Sequence, residues 1–134
     1  MAEEVPIEFR EKRRLLHAAG MDRRRDEVAD ALVRQGRLAE SLEYLEKTKD
    51  PARLAEVRRQ AVTAGDVFSL VRACQILRAE PDAGEWRQLA ACAERSGRFY
   101  DAVNAWERSG DQAKADEVRG RNCPDYRPFK PAGK

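Results

Sequence analysis

The side chains that most often carry chemistry are scarce in this chain and lie far apart. Three cysteines (Cys74, Cys92 and Cys123) and one histidine are scattered along 134 residues. A zinc site needs closely spaced cysteine or histidine pairs, and an odd number of cysteines is a poor disulfide framework. We expect Cys74 and Cys92 to fill the core. We expect Cys123, which begins a proline-rich tail, to be accessible.

The single histidine, His17, does not indicate catalysis. It is flanked by apolar residues at the end of a helical pattern, Leu15 and Leu16 before it and Ala18 and Ala19 after it. A general base needs a nucleophile or an acid within reach, and no motif of this sequence supplies one. The sequence therefore predicts a protein that is not an enzyme and that uses no metal, cofactor or small-molecule substrate.

Two basic segments are the next candidates for a function. Residues 10–25 contain seven Arg or Lys against Glu11 and Asp22, a balance of +5. Such a stretch is either an ordinary solvated helix face or a docking patch for an acidic partner or for phosphate. The candidate residues here are Arg13, Arg14 and Arg24.

The second basic segment is the C-terminal tail, residues 122–134. Its three prolines forbid a helix and favour an extended segment. Aromatic anchors flanked by cations are typical of short peptides that insert into a partner's pocket, and the alternative is a frayed terminus. The candidate residues here are Tyr126, Arg127, Phe129 and Lys130.

The elements that must position these residues are repeated helix pairs. When residues 85–121 are shifted back by 61 positions onto residues 24–60, ten of the 37 positions are identical. The glycines Gly36, Gly65 and Gly97 follow one another at spacings of 29 and 32 residues. Glycine takes the left-handed conformation that ends a helix and reverses the chain. The spacing therefore predicts short antiparallel helices joined at these glycines.

Helix-start signals place the boundaries. Asp50 precedes a proline, Asp82 with Glu85 fits a capping box, and Asp111 caps the last helix. The predicted helices are an N-terminal capping helix at 6–19, then 22–35, 38–47, 51–64, 67–79, 83–96, 99–108 and 112–121.

One segment carries a recognisable pattern. It supplies a large apolar residue, a leucine with a small residue, the turn glycine, an aromatic, an alanine and a second aromatic: Trp86, Leu89, Ala90, Gly97, Phe99, Ala102 and Trp106. This pattern resembles the tetratricopeptide repeat, although that family has a repeat of about 34 residues and a regular proline. Other helical-pair solenoids, including the clathrin type, remain alternatives.

The resemblance implies an all-α fold, a right-handed α-α superhelix of three tetratricopeptide-like helix pairs. The repeats would be about 22–50, 51–81 and 82–110, with capping helices at 6–19 and 111–121. Residues 1–121 would then form a single domain.

The resemblance also implies a concave groove lined by the first helix of each pair. Groove positions fall ten, six and three residues before each turn glycine, and the charged ones are candidates for binding a partner. The family's pocket for a C-terminal carboxylate uses an asparagine, which is missing at these positions. The candidate groove residues are Asp26, Asp30, Arg59, Arg87 and Glu94.

Composition narrows the class of function. A net charge of only +2 is low for a bulk nucleic-acid binder. No apolar stretch is long enough to cross a bilayer, and no secretory signal is present, so we expect a cytoplasmic protein without a membrane partner. The sequence predicts a non-catalytic adaptor or assembly subunit that binds a protein segment or a larger complex. The alternative is a ribonucleoprotein-associated subunit whose basic ends contact phosphate.

Overall fold

The chain folds into short α-helices. The computed structural model describes residues 9–123, with side chains from Glu11 onward. Within these residues there are eight helices and no strand, so the predicted all-α class is confirmed. The helices are α1 (Phe9–His17), α2 (Asp22–Arg34), α3 (Leu38–Thr48), α4 (Pro51–Ala64), α5 (Val67–Leu77), α6 (Ala83–Arg95), α7 (Phe99–Ser109) and α8 (Gln112–Asn122).

The helices from α2 to α8 start at the predicted residues, and their ends differ from the predicted ones by at most two positions. At the starts of α4, α6 and α8 acidic side chains satisfy the first backbone N–H groups. The Asp82 side chain accepts a 2.8 Å hydrogen bond from the Glu85 N–H, and the Glu85 side chain accepts one from the Asp82 N–H, as in a capping box. Asp111 accepts a bond of 3.0 Å from the Lys114 N–H at the start of α8.

The three turn glycines adopt the left-handed conformation that their spacing predicts. Gly36, Gly65 and Gly97 have φ angles of +75°, +69° and +74°. At Gly65 the fit is also close, because an added Cβ would lie 2.6 Å from the Ala93 Cα. Both the conformation and the close approach therefore require glycine at this turn.

Two compact units make up the chain. The first consists of Met1–Val62 and Phe68–Pro81, and the second of Thr63–Val67 and Asp82–Lys134. In the first unit α1 packs on α2 and α3, and α2 packs on α3. Its buried side chains include Leu15, Val28, Leu32, Leu42, Leu45, Leu54, Val57 and Leu70.

The second unit has its own set of packed helices. In it α6 packs on α7, and α7 packs on α8. Trp106, the second aromatic residue of the repeat pattern, is 9% exposed. The other large buried side chains of this unit include Trp86, Leu89, Val103 and Val118.

The cysteines correct one expectation. Cys74 and Cys92 are buried as predicted, but Cys123 is also buried, with 1% of its surface exposed. The reason is that α8 runs one residue further than predicted, and the Cys123 N–H then bonds to the Arg119 carbonyl oxygen at 2.9 Å. Burial raises the pKa of the Cys123 thiol.

None of the helices in the part of the chain from Phe9 to Cys123 combines the length and the apolar character that crossing a membrane requires.

Candidate protein-docking groove

A groove of about 440 Å³ lies between α2, α3 and α4, within the first unit. Side chains four residues apart on α2 and α4 form its walls, since residues at this spacing share one helix face. The apolar lining residues are Ala29, Val33, Leu45 and Ala52. The polar lining residues are Asp30, Arg34, Arg53, Glu56 and Gln60.

Arg53 is the centre of the polar side of this groove. Its Nε and Nη2 atoms donate to the two carboxylate oxygens of Asp30, at 2.9 and 3.0 Å. Its Nη1 atom donates to Asp50 Oδ2 at 2.6 Å and lies 3.4 Å from Asp26 Oδ2. The paired bond to Asp30 fixes the plane of the guanidinium group. Hydrogen bonds to Asp30 and then to Asp50 raise the pKa of Arg53, so it remains charged at all ordinary pH values.

Asp50 connects this cluster to the start of α4. Its Oδ1 atom accepts from the N–H groups of Ala52 and Arg53, at 3.0 and 3.2 Å, as an N-cap does. The hydrogen bond from the Arg53 side chain, followed by the one from the Arg53 N–H, lowers the pKa of the Asp50 carboxyl. The cap and the ion pair thus hold Arg53 in one place.

Three carboxylates face the single guanidinium group of Arg53, a local excess of two negative charges. One of them is incompletely paired: Asp26 Oδ1 is buried and has no hydrogen-bond partner among the described residues. An electrostatic surplus of this kind favours a cation brought in by a binding partner.

Glu56 lies further along α4. Its carboxylate accepts hydrogen bonds from the side chains of Arg59, at 3.0 Å from Nε, and Gln60, at 2.9 Å. These bonds, that from Arg59 first, lower the pKa of Glu56 to about 2. Glu56 is therefore an anion whose charge Arg59 offsets.

The structure brings together some of the groove residues predicted from the sequence. Asp26 and Asp30 both lie against Arg53, and Asp30 lines the groove. Arg59 is exposed and is not among the lining residues; the positions that α4 contributes are Ala52, Arg53, Glu56 and Gln60.

The predicted groove residues of the second unit have different environments. Arg87 is exposed on α6. Glu94 accepts a hydrogen bond of 2.8 Å from the Trp106 indole nitrogen and lies 3.9 Å from Arg121 Nη2. Its carboxylate is therefore engaged within its own unit.

The basic N-terminal segment is divided between surface and interior. Arg13 and Arg14 are exposed, and Arg24 forms ion pairs with Glu11 and Glu27 at 3.6 and 3.7 Å. Arg25, which the charge pattern assigns to the same basic face, is buried with 6% exposure.

The Arg25 side chain binds the C-terminal end of α1 and is not part of the exposed basic surface. Its guanidinium group donates to the backbone oxygens of Leu15 and Ala18 and pairs with Asp22 at 2.7 Å. The last carbonyl groups of a helix have no partner within it, and a cation there also complements the helix dipole. Arg25 is therefore a capping residue for α1.

The tail candidates Tyr126, Arg127, Phe129 and Lys130 lie outside the described residues. So does Pro6, which was predicted to open the N-terminal capping helix. Within the described residues no group of three or more His, Cys, Asp and Glu is arranged to hold a metal ion.

Arg53 is the residue that the sequence patterns missed. The available signal was local, since Asp50-Pro51 marks a helix start and a basic residue three positions after the cap can reach its carboxylate. The contact with Asp30, 23 residues away, has no local signal.

Comparison of the chain with protein-family models, curated proteins and solved structures gave no match.

Proposed function

We propose that this chain is a non-catalytic adaptor or assembly subunit that binds a segment of another protein in the groove between α2, α3 and α4. The observation that carries this proposal is the groove itself, about 440 Å³ in volume, with apolar residues beside a fixed group of charges. Ligand sites of proteins combine an apolar lining with a few positioned polar groups in this way.

The architecture that we propose is a tetratricopeptide-like superhelix of three helix pairs. Its support is the recurrence of left-handed turn glycines with helices on either side. A further support is the left-handed residue that ends α3 and α7, Lys49 with φ of 55° and Gly110 with φ of 90°. These two residues are 61 positions apart, the same shift that aligns residues 85–121 with residues 24–60.

The test is recovery of partners by the tagged full chain, read by cross-linking and mass spectrometry. Ala52→Trp places an indole on an exposed residue that lines the groove, and we expect it to abolish recovery of a direct partner. The matched control is Ala39→Trp, on an exposed residue of α3 that is not among the groove-lining residues. The residue that corresponds to Ala39 after the shift of 61 positions is Tyr100, which is exposed. We therefore expect position 39 to tolerate an aromatic residue. Equal recovery by the two variants would contradict docking in this groove.

A ribonucleoprotein-associated role is the second candidate, because Arg13 and Arg14 are exposed on α1 and the Arg23 side chain is 96% exposed. Its signature would be partner recovery that nuclease removes, together with a steep decrease of affinity with salt. Substitution of Arg13 and Arg14 by glutamine should then reduce recovery, whereas Ala52→Trp should leave it unchanged. A chain ending at Cys123 tests the contribution of the tail in the same assay.

A further inference from the structure

The second unit contains a counterpart of every residue that lines the groove. A shift of 61 positions carries α2, α3 and α4 onto α6, α7 and α8, the three helices that follow one another in the second unit. The polar residue Arg53 corresponds to Lys114, the apolar residue Val33 to Glu94, and Leu45 to Trp106. The first unit therefore has an aliphatic side chain where the second has an indole.

The indole of Trp106 lies among the counterparts of the groove residues. Its nitrogen donates to Glu94 Oε2 at 2.8 Å, and the Lys114 Nζ atom lies 5.8 Å from the centre of its ring. Only 9% of the Trp106 surface is exposed. In the second unit, then, an aromatic ring of the chain itself contacts both α6 and α8 at the positions that form the groove walls in the first unit.

Leu45 is too short to fill the equivalent space in the first unit. It is fully buried, and the groove lies beside it between α2 and α4. The position of Trp106 in its own unit indicates that the space accommodates an aromatic ring. Such rings prefer close packing, and the unfilled groove offers apolar area for it.

The lining also selects between aromatic rings. Val33 stands where Glu94 accepts the indole N–H of Trp106, so an indole placed in the same way would lack that acceptor. The lining carboxylates of Asp30 and Glu56 already accept hydrogen bonds from Arg53 and Arg59. A phenyl ring has no N–H to satisfy and avoids this cost.

The charges around the groove select the residue next to the ring. Three aspartates surround Arg53, and Arg59 offsets Glu56. Even with Arg34, which also lines the groove, carboxylates outnumber guanidinium groups by four to three: Asp26, Asp30, Asp50 and Glu56 against Arg34, Arg53 and Arg59. A basic residue of the ligand complements this excess of negative charge.

We propose that the groove binds a phenyl side chain presented by a partner protein next to a basic residue. This inference rests on the docking function proposed above and gives the chemistry of its ligand.

The test uses the full chain labelled with ¹⁵N and the capped peptide acetyl-Gly-Phe-Arg-Gly-amide as probe. The amide shifts should be concentrated at groove residues such as Ala29, Val33 and Ala52. Replacing the phenylalanine of the peptide by alanine should weaken binding about tenfold or more, and replacing the arginine by glutamate about threefold or more. Equal binding of the three peptides, shifts elsewhere on the chain, or no binding of the phenylalanine–arginine peptide would overturn the inference.

A variant of the protein gives the second readout. Leu45→Trp supplies the missing ring from α3, as Trp106 does from α7, and should abolish binding of the probe. The control Ala39→Trp adds an indole to the same helix outside the groove and should bind like the unaltered chain. If Leu45→Trp fails to fold, Ala52→Trp blocks the groove from an exposed position and has the same expected result. If Leu45→Trp or Ala52→Trp folds and still binds the probe peptide, the inference is contradicted.

The partner-recovery experiment separates this inference from the proposed function. A protein that is recovered by the Ala39→Trp chain and lost with Ala52→Trp supports docking, even if the three peptides bind alike. In that case only the proposed preference for a phenyl side chain next to a basic residue is wrong. If recovery is the same for both variants, the docking function fails whatever the peptides do.

Discussion

The indole nitrogen of Trp106 donates a 2.8 Å hydrogen bond to Glu94, which joins α7 to α6. The ring is 9% exposed, and the Lys114 ammonium group lies 5.8 Å from its centre on the side of α8. One side chain therefore contacts all three helices of the C-terminal segment. This residue of the second unit thus combines a buried ring with a hydrogen bond to a carboxylate.

Substitution of Trp106 by alanine should lower the free energy of unfolding by about 3–5 kcal/mol, because it removes a large buried ring and leaves a cavity. Trp106→Phe keeps most of the packing and loses the hydrogen bond, so its cost should be smaller. Urea unfolding followed by circular dichroism measures both. An alanine variant as stable as the unaltered chain would show that Trp106 does not hold the three helices together.

Substitution by alanine should have opposite effects on stability at Gly97 and at Gly120. Each has no atom within 4 Å of an added Cβ, but Gly97 has a φ of +74° whereas Gly120 lies in α8. Gly97→Ala should cost about 1–2 kcal/mol, since an L-residue is strained in the left-handed conformation. Gly120→Ala should stabilise by about 0.5–1 kcal/mol, because alanine favours a helix. Gly97→Val should be worse than Gly97→Ala. Melting midpoints that shift in the same direction for the two alanine variants would contradict the assignment of the turn.

Loss of the Arg25 guanidinium should release the end of α1. Arg25→Met keeps an apolar stem but removes the bonds to Leu15 and Ala18, at a cost of about 1.5–3 kcal/mol. Amide hydrogen exchange should accelerate in α1 more than in α3. The matched variant Arg23→Met removes a charge from an exposed neighbour that pairs with Glu27 of its own helix, and it should leave exchange in α1 nearly unchanged. Equal effects of the two substitutions would mean that Arg25 does not cap α1.

The Asp50 carboxylate should contribute to acid sensitivity. Its pKa is lowered in the folded state, chiefly by Arg53, so its stabilising contribution is present above its ordinary pKa of about 3.9 and is lost as pH falls through the lower folded value. Asp50→Asn retains the cap and loses the charge, which should cost about 0.5–1 kcal/mol at pH 7 and less at pH 3. Unfolding in urea at the two pH values gives the difference. A cost that is the same at pH 3 as at pH 7 would argue against the ion pair with Arg53.

The buried thiol of Cys123 should make stability fall in alkali. Burial raises its pKa in the folded state, so above the ordinary thiol pKa of about 8.5 the unfolded chain ionises first and is favoured. The free energy of unfolding should decline from pH 8 to pH 10 more steeply for the unaltered chain than for Cys123→Ala. Labelling with a thiol reagent provides the control: Cys123 should react slowly in the folded chain and rapidly in denaturant. Rapid labelling of Cys123 without denaturant would restore the expectation of an accessible thiol.

The sequence predicted the helices well because their limits are encoded locally. Asp82 and Asp111 satisfy the first N–H groups of their own helices, and Gly36 and Gly97 take a conformation that few other residues adopt. These signals involve residues close together in the chain, so they can be read without the fold.

The environments of individual charged residues could not be predicted in the same way. In the sequence Arg25 is one of seven basic residues in the segment 10–25. Its side chain caps α1 only because α1 packs against α2 in the folded chain. Arg53 meets Asp30 across 23 residues, and the rotation of α4 determines that Arg53, and not Arg59, faces the groove. Charge patterns give the composition of a surface, whereas pairing depends on tertiary contacts.

The cap that Arg25 provides also has a consequence for the order of events during synthesis. Translation produces α1 before α2, so the carbonyl groups at the end of α1 emerge several residues ahead of the side chain that satisfies them. A nine-residue helix is marginal by itself in water, because few hydrogen bonds offset the cost of nucleation. Helix α1 should therefore become stable only after α2 has formed and the Arg25 side chain has bonded to the end of α1.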